Sequence, residues 1–347
     1  MYYDKSMKNK CESCGGQLSF DPKSKSVKCF NCGLEKPIEY EPKSEKKAFV
    51  EDNEAYDADF AKALKQIKCK SCGANVLLNN YAMQSNCPYC GTSEIYEQNG
   101  EKKLRVDSII PFAFDKAEAL ERFKQTVKGR FFANKQVLNH LTLEDIKATY
   151  INAYVFDFHT HSRYTCVERY YKDVKRPNGL TSTETYYKTR RGTHDEFCNN
   201  ISIEVNSNLN QKEFESVLPF DYNSAVAFNQ DFLTGYMVEY QDEDFDSSVV
   251  KAKEYAKSSA YQSIRSKFGT NVDSLDVHTS FIDEKYNYSL LPVYFVSRTV
   301  KDKPKTVLMN GQTGKTGSVP LNKWKVFWAI IIGLGLLGGL IALLFSF

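Results

Sequence analysis

The chain has 347 residues, of which 42% are hydrophobic, 26% are charged and 14% are aromatic. These proportions are typical of folded protein and exclude a largely disordered chain, and the length allows two or three domains. The formal net charge of +3 does not by itself indicate a nucleic-acid partner, because such binding depends on many clustered cations.

The N-terminus and the cysteines indicate the compartment. Residues 1–10 are polar and charged, without the apolar core of a secretory signal peptide. Eight of the ten cysteines stand in four Cys-x-x-Cys pairs, which in a non-secreted chain are typical of metal ligands rather than disulfides. We therefore expect the body of the protein to lie in the reducing cytoplasm.

The composition divides the chain into five segments. In chain order these are a first cysteine-rich segment (8–40), a linker with a short helix (41–65), a second cysteine-rich segment (66–98), an α+β domain (106–319) and a hydrophobic C-terminal helix (326–347). Around the linker, Phe60, Leu64 and Ile67 fall at helical spacing, which predicts a short connecting helix over 51–68.

The cysteine-rich segments contain two tetrads with the same internal spacing. Their members are Cys11, Cys14, Cys29 and Cys32 in the first tetrad, and Cys69, Cys72, Cys87 and Cys90 in the second. Fourteen residues separate the pairs in both, and the tetrads repeat 58 residues apart. A glycine follows every pair, as a tight knuckle requires. We name these segments ribbon 1 (8–40) and ribbon 2 (66–98).

Each ribbon offers four thiolates, which suit one tetrahedral Zn²⁺ ion. Four protein ligands leave no open coordination position, so both predicted Zn²⁺ ions are structural. Each module is too small for a useful core, and metal binding would supply folding free energy on the order of 10 kcal/mol. Rubredoxin-like iron sites and redox dithiols are the alternatives.

The residues around the knuckles are of mixed charge. They are the lysines Lys8, Lys10, Lys25, Lys28, Lys68 and Lys70, the aromatics Phe20, Phe30 and Tyr89, and the acids Glu12, Asp21 and Glu35. Cations with interleaved aromatics are typical of nucleic-acid binding, but the acids interrupt the basic surface. The pattern favours protein partners and leaves nucleic acid as the alternative.

The central segment mixes helical and alternating patterns, which predicts an α+β domain with a mainly antiparallel sheet. The predicted helical features are a helix capped by Asp115 and running through Phe123 and Val127, a capping box at Thr142 and Asp145, and a helix over 247–268 ended by Gly269. The predicted strands cover 150–164, 202–205, 236–240, 290–300 and 306–309. Residues 110–117 and 218–225 echo each other, which leaves open a duplicated unit.

The C-terminal segment 326–347 has 22 residues without a charge. As a helix it would be about 33 Å long, close to the roughly 30 Å of a bilayer core. Trp324, Trp328 and preceding lysines resemble the cytoplasmic end of a span. We therefore predict a single-pass plasma-membrane protein, with self-association through Gly335 and Gly339 as an option. A buried C-terminal helix is the alternative.

Several signals resemble catalytic chemistry. Residues 311–316, Gly-Gln-Thr-Gly-Lys-Thr, resemble the end of a phosphate-binding loop, but Met309 stands where the pattern requires glycine. We predict a turn between strands there and no ATP site.

Other reactive residue types are scattered. His159 and His161 would share one face of a strand and could hold a metal, although ordinary sheet positions are the simpler interpretation. Cys166 and Cys198 remain outside the ribbons and are predicted to be buried thiols. Because no nucleophile and base stand together in a recognisable pattern, we predict that the protein is not an enzyme.

Together these features resemble a known family. They are the two ribbons, Ile-Pro-Phe at 110–112, the aromatic strand at 150–158, Leu-Pro-Phe at 218–220, Leu-Pro-Val-Tyr at 291–294 and Asn-Gly-Gln-Thr-Gly-Lys at 310–315. Over most of its length the chain resembles the YdjG-like membrane-anchored zinc-ribbon proteins of bacteria. It departs at Asn152, Ala153 and Tyr154, where relatives tend to have proline and tryptophan.

The resemblance implies a function. Relatives are often labelled primosomal helicases or replisome organisers, a label carried only through the ribbons, and the missing phosphate loop argues against it. The family's genes are associated with a flotillin-like SPFH protein and a phage-shock protein of the PspA type. The resemblance therefore implies a membrane-anchored adaptor in an envelope-stress assembly, with these proteins as partners.

From the sequence we predict a multidomain fold of two zinc-β-ribbons, an α+β domain and one transmembrane helix. The predicted function is a cytoplasmic, membrane-anchored scaffold that binds protein partners. The alternative is a membrane-tethered, replication-related protein that binds nucleic acid.

Overall fold

The computed structural model of the protein describes residues 10–43, 45–49, 64–79, 87–89, 95–97, 106–177, 180–206, 209–239, 244–300 and 303–344. Within these ranges the fold is mostly β. The strands are β1 (Leu18–Asp21), β2 (Ser26–Cys29), β3 (Glu35–Pro37), β4 (Lys47–Ala48), β5 (Leu64–Cys69), β6 (Asn75–Asn79), β7 (Ile95–Glu97), β8 (Ser108–Ile109), β9 (Ile146–Lys175), β10 (Thr181–Glu204), β11 (Val226–Ala227), β12 (Met237–Glu239), β13 (Val272–Val300) and β14 (Lys303–Asn310). The α-helices are α1 (Lys116–Gly129), α2 (Gln211–Glu215), α3 (Phe245–Ser266) and α4 (Lys323–Leu344).

Three very long antiparallel strands form the backbone of the fold. β9 has 30 residues and lies between β10, with 24 residues, and β13, with 29. At about 3.3 Å per residue, β9 is about 100 Å long. The five predicted strands are confirmed, but most are parts of longer strands. Beyond residue 168 the side chains of β9 are largely exposed on both sheet faces, so no apolar alternation marks the strand there.

The sheet continues from these strands into ribbon 2. Its order is β11-β8-β13-β9-β12-β6-β5-β7, with β10 and β14 paired to β9 and β13. Ribbon 1 instead has its own sheet, β1-β2-β3. A main core lies where α1 covers the sheet, and its rings include Phe112, Tyr150, Tyr236 and Tyr294.

Helix α3 packs on the next part of the long sheet. Its buried residues include Ala252, Ala256 and Ala260, which recur every fourth position and form one stripe. Their small side chains let the helix approach the rings of Phe156 and Phe158 on β9, which belong to the same buried cluster. The helix therefore fixes which face of β9 is covered, namely the face of its even-numbered residues in this region.

The predicted helix ends are confirmed by hydrogen bonds. Asp115 caps α1 by accepting from the Glu118 N–H at 2.8 Å. Asp145 accepts from the Thr142 N–H at 2.8 Å, although the capping box begins a 3-10 helix, Leu143–Asp145, rather than an α-helix. α3 begins two residues earlier than predicted, capped by Asp244.

The echoing segments lead into similar orders of elements. α1 precedes the β9–β10 hairpin, and α3 precedes the β13–β14 hairpin. The second segment itself forms only a 3-10 helix, Tyr222–Ser224, so the likeness concerns the order of elements rather than their detail.

The linker helix predicted over 51–68 falls partly outside the described residues, because 50–63 are not described. Its end is wrong: residues from Leu64 onward form β5, which pairs with β6. A cross-strand partner outweighs the weak helical spacing of three apolar residues. The segment boundaries remain predictions.

The C-terminal helix requires a further correction. Among the described residues, no helix is both long and apolar enough to cross a membrane. Helix α4 begins with the charged residues Lys323 and Lys325. The predicted transmembrane helix (326–347), the fold class that included it and the single-pass plasma-membrane localisation are therefore wrong. Self-association through Gly335 and Gly339 depends on packing inside a membrane, so we do not propose it.

Candidate metal centres and the junction cavity

Ribbon 1 brings its four predicted ligands together. The Sγ atoms of Cys11, Cys14, Cys29 and Cys32 all lie within 4.8 Å of one another. Each knuckle closes through a glycine N–H: Gly15 donates to the Cys11 carbonyl and Gly33 to the Cys29 carbonyl, both at 2.8 Å. Both glycines have positive φ, as the knuckle requires. The four cysteines could bind one metal ion.

The inner and outer cysteines of ribbon 1 differ in environment. Cys11 and Cys29 are buried, whereas Cys14 and Cys32 are exposed. The Asn31 side-chain amide, and then the Gly16 N–H, donate to the Cys14 Sγ and lower the pKa of Cys14 to about 6. Donors around this sulfur therefore favour the thiolate, the form in which cysteine binds metal.

Ribbon 2 shows the same arrangement for the ligands that are described. The Sγ atoms of Cys69, Cys72 and Cys87 lie within 4.8 Å of one another, with 3.7 Å between Cys72 and Cys87. The Gly73 N–H closes the first knuckle on the Cys69 carbonyl at 3.0 Å. Cys90, the predicted fourth ligand, lies outside the described residues. This second cluster could also bind a metal ion.

Ribbon 1 is attached to the main core through Phe20, which is 1% exposed. Its ring centroid lies 5.2 Å from that of Phe232 and 6.1 Å from that of Tyr236. The Phe20 N–H also donates to the Thr234 carbonyl at 2.9 Å. The first metal centre therefore stands on the same core as the α+β domain.

Ribbon 2 is attached by backbone pairing and by Tyr89. β6 pairs antiparallel with β12, which pairs with β9. The Tyr89 hydroxyl donates to the Glu239 carboxylate, and its ring lies 5.3 Å from that of Phe295. Burial, and then the Glu239 charge, raise the pKa of Tyr89 well above its usual value, so the phenol stays a donor.

The Asn-Gly-Gln-Thr-Gly-Lys segment forms a tight turn after β14, as predicted, and Gly314 donates its N–H to the Asn310 carbonyl at 2.9 Å. The Asn310 side-chain oxygen accepts from the N–H groups of Gln312 and Thr313. Its amide donates to the carbonyls of Val217 and Pro219. The turn therefore holds the Leu-Pro-Phe segment rather than forming a phosphate loop.

Two further contacts bring the proline-aromatic segments to this turn. The Gln312 side chain accepts from the Asp221 N–H at 2.7 Å and donates to the Ser224 hydroxyl at 2.5 Å. A Cβ at Gly311 would lie 2.5 Å from the Phe112 ring, so only glycine lets the turn approach the Ile-Pro-Phe segment. Segments from three distant parts of the chain therefore meet.

A cavity of about 400 Å³ opens at this meeting point, and we name it the junction cavity. Its lining residues are Lys25, Tyr40, Pro111, Phe112, Ala113, Asp221, Ser224, Val226, Phe232, Gln312 and Thr313. Phe112 and Phe232 are buried, whereas Tyr40 is 46% exposed. Lys25 and Tyr40 come from ribbon 1, so the first metal centre supports one wall.

The remaining predicted residues take structural positions. His159 stacks on Phe197, with ring centroids 4.2 Å apart, and the His161 Nδ1 lies 2.8 Å from an Asp195 carboxylate oxygen. Neither histidine belongs to a possible metal cluster among the described residues. Cys166 and Cys198 are buried as predicted, and burial raises the pKa of both thiols.

The sequence did not indicate that the cavity exists. Its lining residues lie up to 288 positions apart, between Lys25 and Thr313, and no spacing rule connects them. The available signal was the recurrence of Pro-Phe at 111–112 and 219–220 together with the glycine-rich turn.

The fold and sites define a mostly β protein of the α+β class with two cysteine-rich candidate metal centres, one attached to the main core and the other to the large sheet. No protein-family model matches the chain, and no solved structure matches it. The chain is 27% identical over 324 residues to the uncharacterized protein YdjG of Bacillus subtilis (strain 168), and the aligned region covers 91% of each chain. The similarity to YdjG over most of the chain supports the predicted resemblance; the match gives no information on membrane anchoring or zinc ribbons.

Proposed function

We propose that the protein is a zinc-dependent adaptor, without catalytic activity, whose junction cavity receives a segment of a protein partner. The observation that carries this proposal is the composition of the cavity wall. Ribbon 1 contributes Lys25 and Tyr40, while Phe112 and Gln312 come from opposite ends of the α+β domain. A partner bound there would sense whether ribbon 1 is folded.

The spacing of the cysteine sulfurs is compatible with zinc. Four Zn–S bonds of about 2.3 Å in a tetrahedron place the sulfurs about 3.8 Å apart. The Sγ–Sγ distances are 3.4 Å for Cys11 and Cys32, 3.5 Å for Cys14 and Cys29, and 3.7 Å for Cys72 and Cys87. Four cysteines in ribbon 1 leave no open position, so we propose a structural ion. Iron would accept the same ligands, and metal analysis of the purified protein distinguishes the two.

The chemistry of the cavity suits a peptide segment. Aromatic rings form its floor and hydroxyl, amide and charged groups form its rim, the arrangement in which interface anchors bind. Lys25 and Asp221 carry opposite charges, so the rim has no net attraction for a polyanion. On ribbon 1, Lys23 pairs with Asp115 at 2.7 Å and Lys28 lies 4.0 Å from Asp21, which weakens the nucleic-acid alternative for this ribbon.

A non-catalytic role agrees with the free thiols. Cys166 and Cys198 are buried with raised pKa values, which disfavours the nucleophilic thiolate. The SPFH-type and PspA-type proteins implied by the family resemblance are the first candidates for the partner.

Site-specific photocrosslinking tests the proposal. A benzophenone amino acid replaces Tyr40 at the cavity or Tyr261 on α3, which is 38% exposed and serves as the matched control. We expect a protein adduct from position 40 that is absent from position 261 and insensitive to nuclease. The adduct partner, once purified, should bind the wild-type protein and lose at least tenfold in affinity for Ser224→Trp, which fills the cavity.

Two results would overturn the proposal. One is a purified partner that binds wild type and the folded Ser224→Trp variant equally well. The other is an adduct at position 40 that consists of nucleic acid.

A further inference from the structure

The distal ends of β9 and β10 form the end of the long sheet, where β13 pairs with β9 only as far as Glu168, and we name residues 163–191 the arm. Its eight cations are Arg163, Arg169, Lys172, Lys175, Arg176, Lys188, Arg190 and Arg191, and its three acids are Glu168, Asp173 and Glu184. The arm therefore carries +5, and because the whole chain carries +3, the remainder carries −2. The positive charge of this nearly neutral protein is concentrated in one place.

The arm has one face that α3 does not cover. Phe156 and Phe158 of β9 pack on α3, and side chains alternate between faces along a strand, so odd-numbered residues of β9 point to the open face. In the arm these include Arg163, Arg169 and Tyr171. In β10, Tyr187 lies opposite Arg169, and Arg191 lies opposite Thr165, which places both on the same face. This open face thus combines three arginines and two tyrosines.

The groups on the open face are accessible. Tyr171 is 65% exposed and Tyr187 is 57% exposed. Arg163 and Arg191 are exposed and form no ion pair within the part of the chain that the structure describes. Arg169 pairs with Asp273, and its guanidinium lies 5.9 Å from the Tyr187 ring centroid. Two arginines are therefore available for an anion, next to two exposed rings.

We propose that the open face of the arm binds single-stranded nucleic acid. Arginines contact the phosphates, and the tyrosine rings stack on unpaired bases, which a duplex would keep buried. From Arg163 to Tyr171 the face extends for about 26 Å at 3.3 Å per residue, enough for several nucleotides. Tyr187 lies opposite Arg169, so both rings lie near residues 169–171, four or more residues before the end of β9. Their position on the strands rather than at the hairpin tip favours a strand of bases over a lipid surface. This site is separate from the junction cavity and does not depend on the proposed function.

Fluorescence anisotropy with the full-length protein and a labelled (dT)20 oligonucleotide tests the site. The variants are Tyr171→Ala/Tyr187→Ala and Arg163→Gln/Arg191→Gln, with Tyr261→Ala/Lys257→Gln on α3 as the matched control. We expect each arm variant to lose at least tenfold in affinity, since stacking and phosphate contacts each contribute that much. In the arginine variant the slope of log affinity against log salt concentration should also become shallower by about 1.4. Each phosphate contact on a single strand contributes about 0.7 to this slope, and the variant removes two.

The controls distinguish the possible outcomes. The altered side chains are exposed, so melting temperatures should not change, and Ser224→Trp should bind the oligonucleotide normally. Three results would each overturn the proposal. The first is no binding of the oligonucleotide at low salt, and the second is oligonucleotide affinity in both arm variants equal to that of the wild-type protein. The third is binding to anionic phosphatidylglycerol vesicles without binding to the oligonucleotide.

Discussion

The two ribbons have the same cysteine spacing but are attached to the protein in different ways. Ribbon 1 keeps its own three-stranded sheet and inserts Phe20, Val27 and Ile38 into the main core. Ribbon 2 adds its strands to the large sheet through β6 and β12, and anchors Tyr89 on Glu239. The cysteine pattern therefore specifies a local metal-binding turn, whereas side chains between the cysteines decide how that turn is attached.

The largest expected effect comes from removing one ligand in each ribbon. Cys29→Ser and Cys87→Ser are equivalent positions, 58 residues apart and both 0% exposed. We expect each variant to lose one equivalent of metal, and with it folding free energy on the order of 10 kcal/mol for that ribbon. Cys29→Ser should lower the melting temperature of the whole protein more, because ribbon 1 shares the main core.

Metal analysis and thermal unfolding measure the two effects separately. If Cys87→Ser lowered the melting temperature as much as Cys29→Ser, the shared core would not distinguish the ribbons.

The second prediction concerns the ring that attaches ribbon 1. Phe20→Ala should destabilise the protein by about 3–5 kcal/mol, because it leaves a cavity among Phe232 and Tyr236. Phe30→Ala in the same ribbon is the control, since Phe30 is 69% exposed and its loss should cost little. Denaturant unfolding compares the two variants, and similar costs would argue against attachment through Phe20.

The third prediction concerns the polar anchor of ribbon 2. Tyr89→Phe should cost about 1–3 kcal/mol, because the buried Glu239 carboxylate loses a donor. Tyr40→Phe in ribbon 1 should change stability little, because the Tyr40 side chain is half-exposed. The rate of backbone amide hydrogen exchange in β12 should rise in the Tyr89 variant. An unchanged rate would show that Tyr89 does not anchor ribbon 2 to β12.

The smallest effect concerns the ion pair between ribbon 1 and α1. Burial raises the pKa of Asp115, but the hydrogen bond from Lys23 and the Glu118 N–H outweigh it, so the pKa is lowered. The pair should contribute little to stability, because Lys23 is mostly exposed and solvent screens the interaction. A lowered carboxyl pKa means that this contribution is complete above the ordinary value of about 3.9 and is lost as the pH falls below it.

Lys23→Met should reduce the difference in stability between neutral and acidic pH that Asp115 causes, because the Glu118 N–H still donates to the carboxylate. Lys36→Met on exposed β3 is the control, and this variant should keep the wild-type difference in stability between neutral and acidic pH. An unchanged pH profile in the Lys23 variant would show that the pair contributes nothing.

Local signals predicted local structure well. The knuckle glycines, the Asp115 cap and the Thr142–Asp145 box depend on contacts within a few residues, and all three appear in the structure. Strand lengths were underestimated because the part of the arm beyond residue 168 of β9 is largely exposed on both faces and lacks apolar alternation. The linker prediction was wrong at Leu64, where a partner strand outweighed helical spacing.

The sequence by itself determined the chemistry of the protein: two thiolate clusters at fixed spacing, the glycines that shape their turns, and the caps that start α1 and α3. These features are local, because each depends on residues close in the chain. Only the tertiary structure decided that ribbon 1 shares the main core, that Phe112 and Gln312 meet Tyr40 at one cavity, and that the positive charge lies on the arm. Those outcomes depend on packing and strand pairing between residues that no local sequence pattern connects.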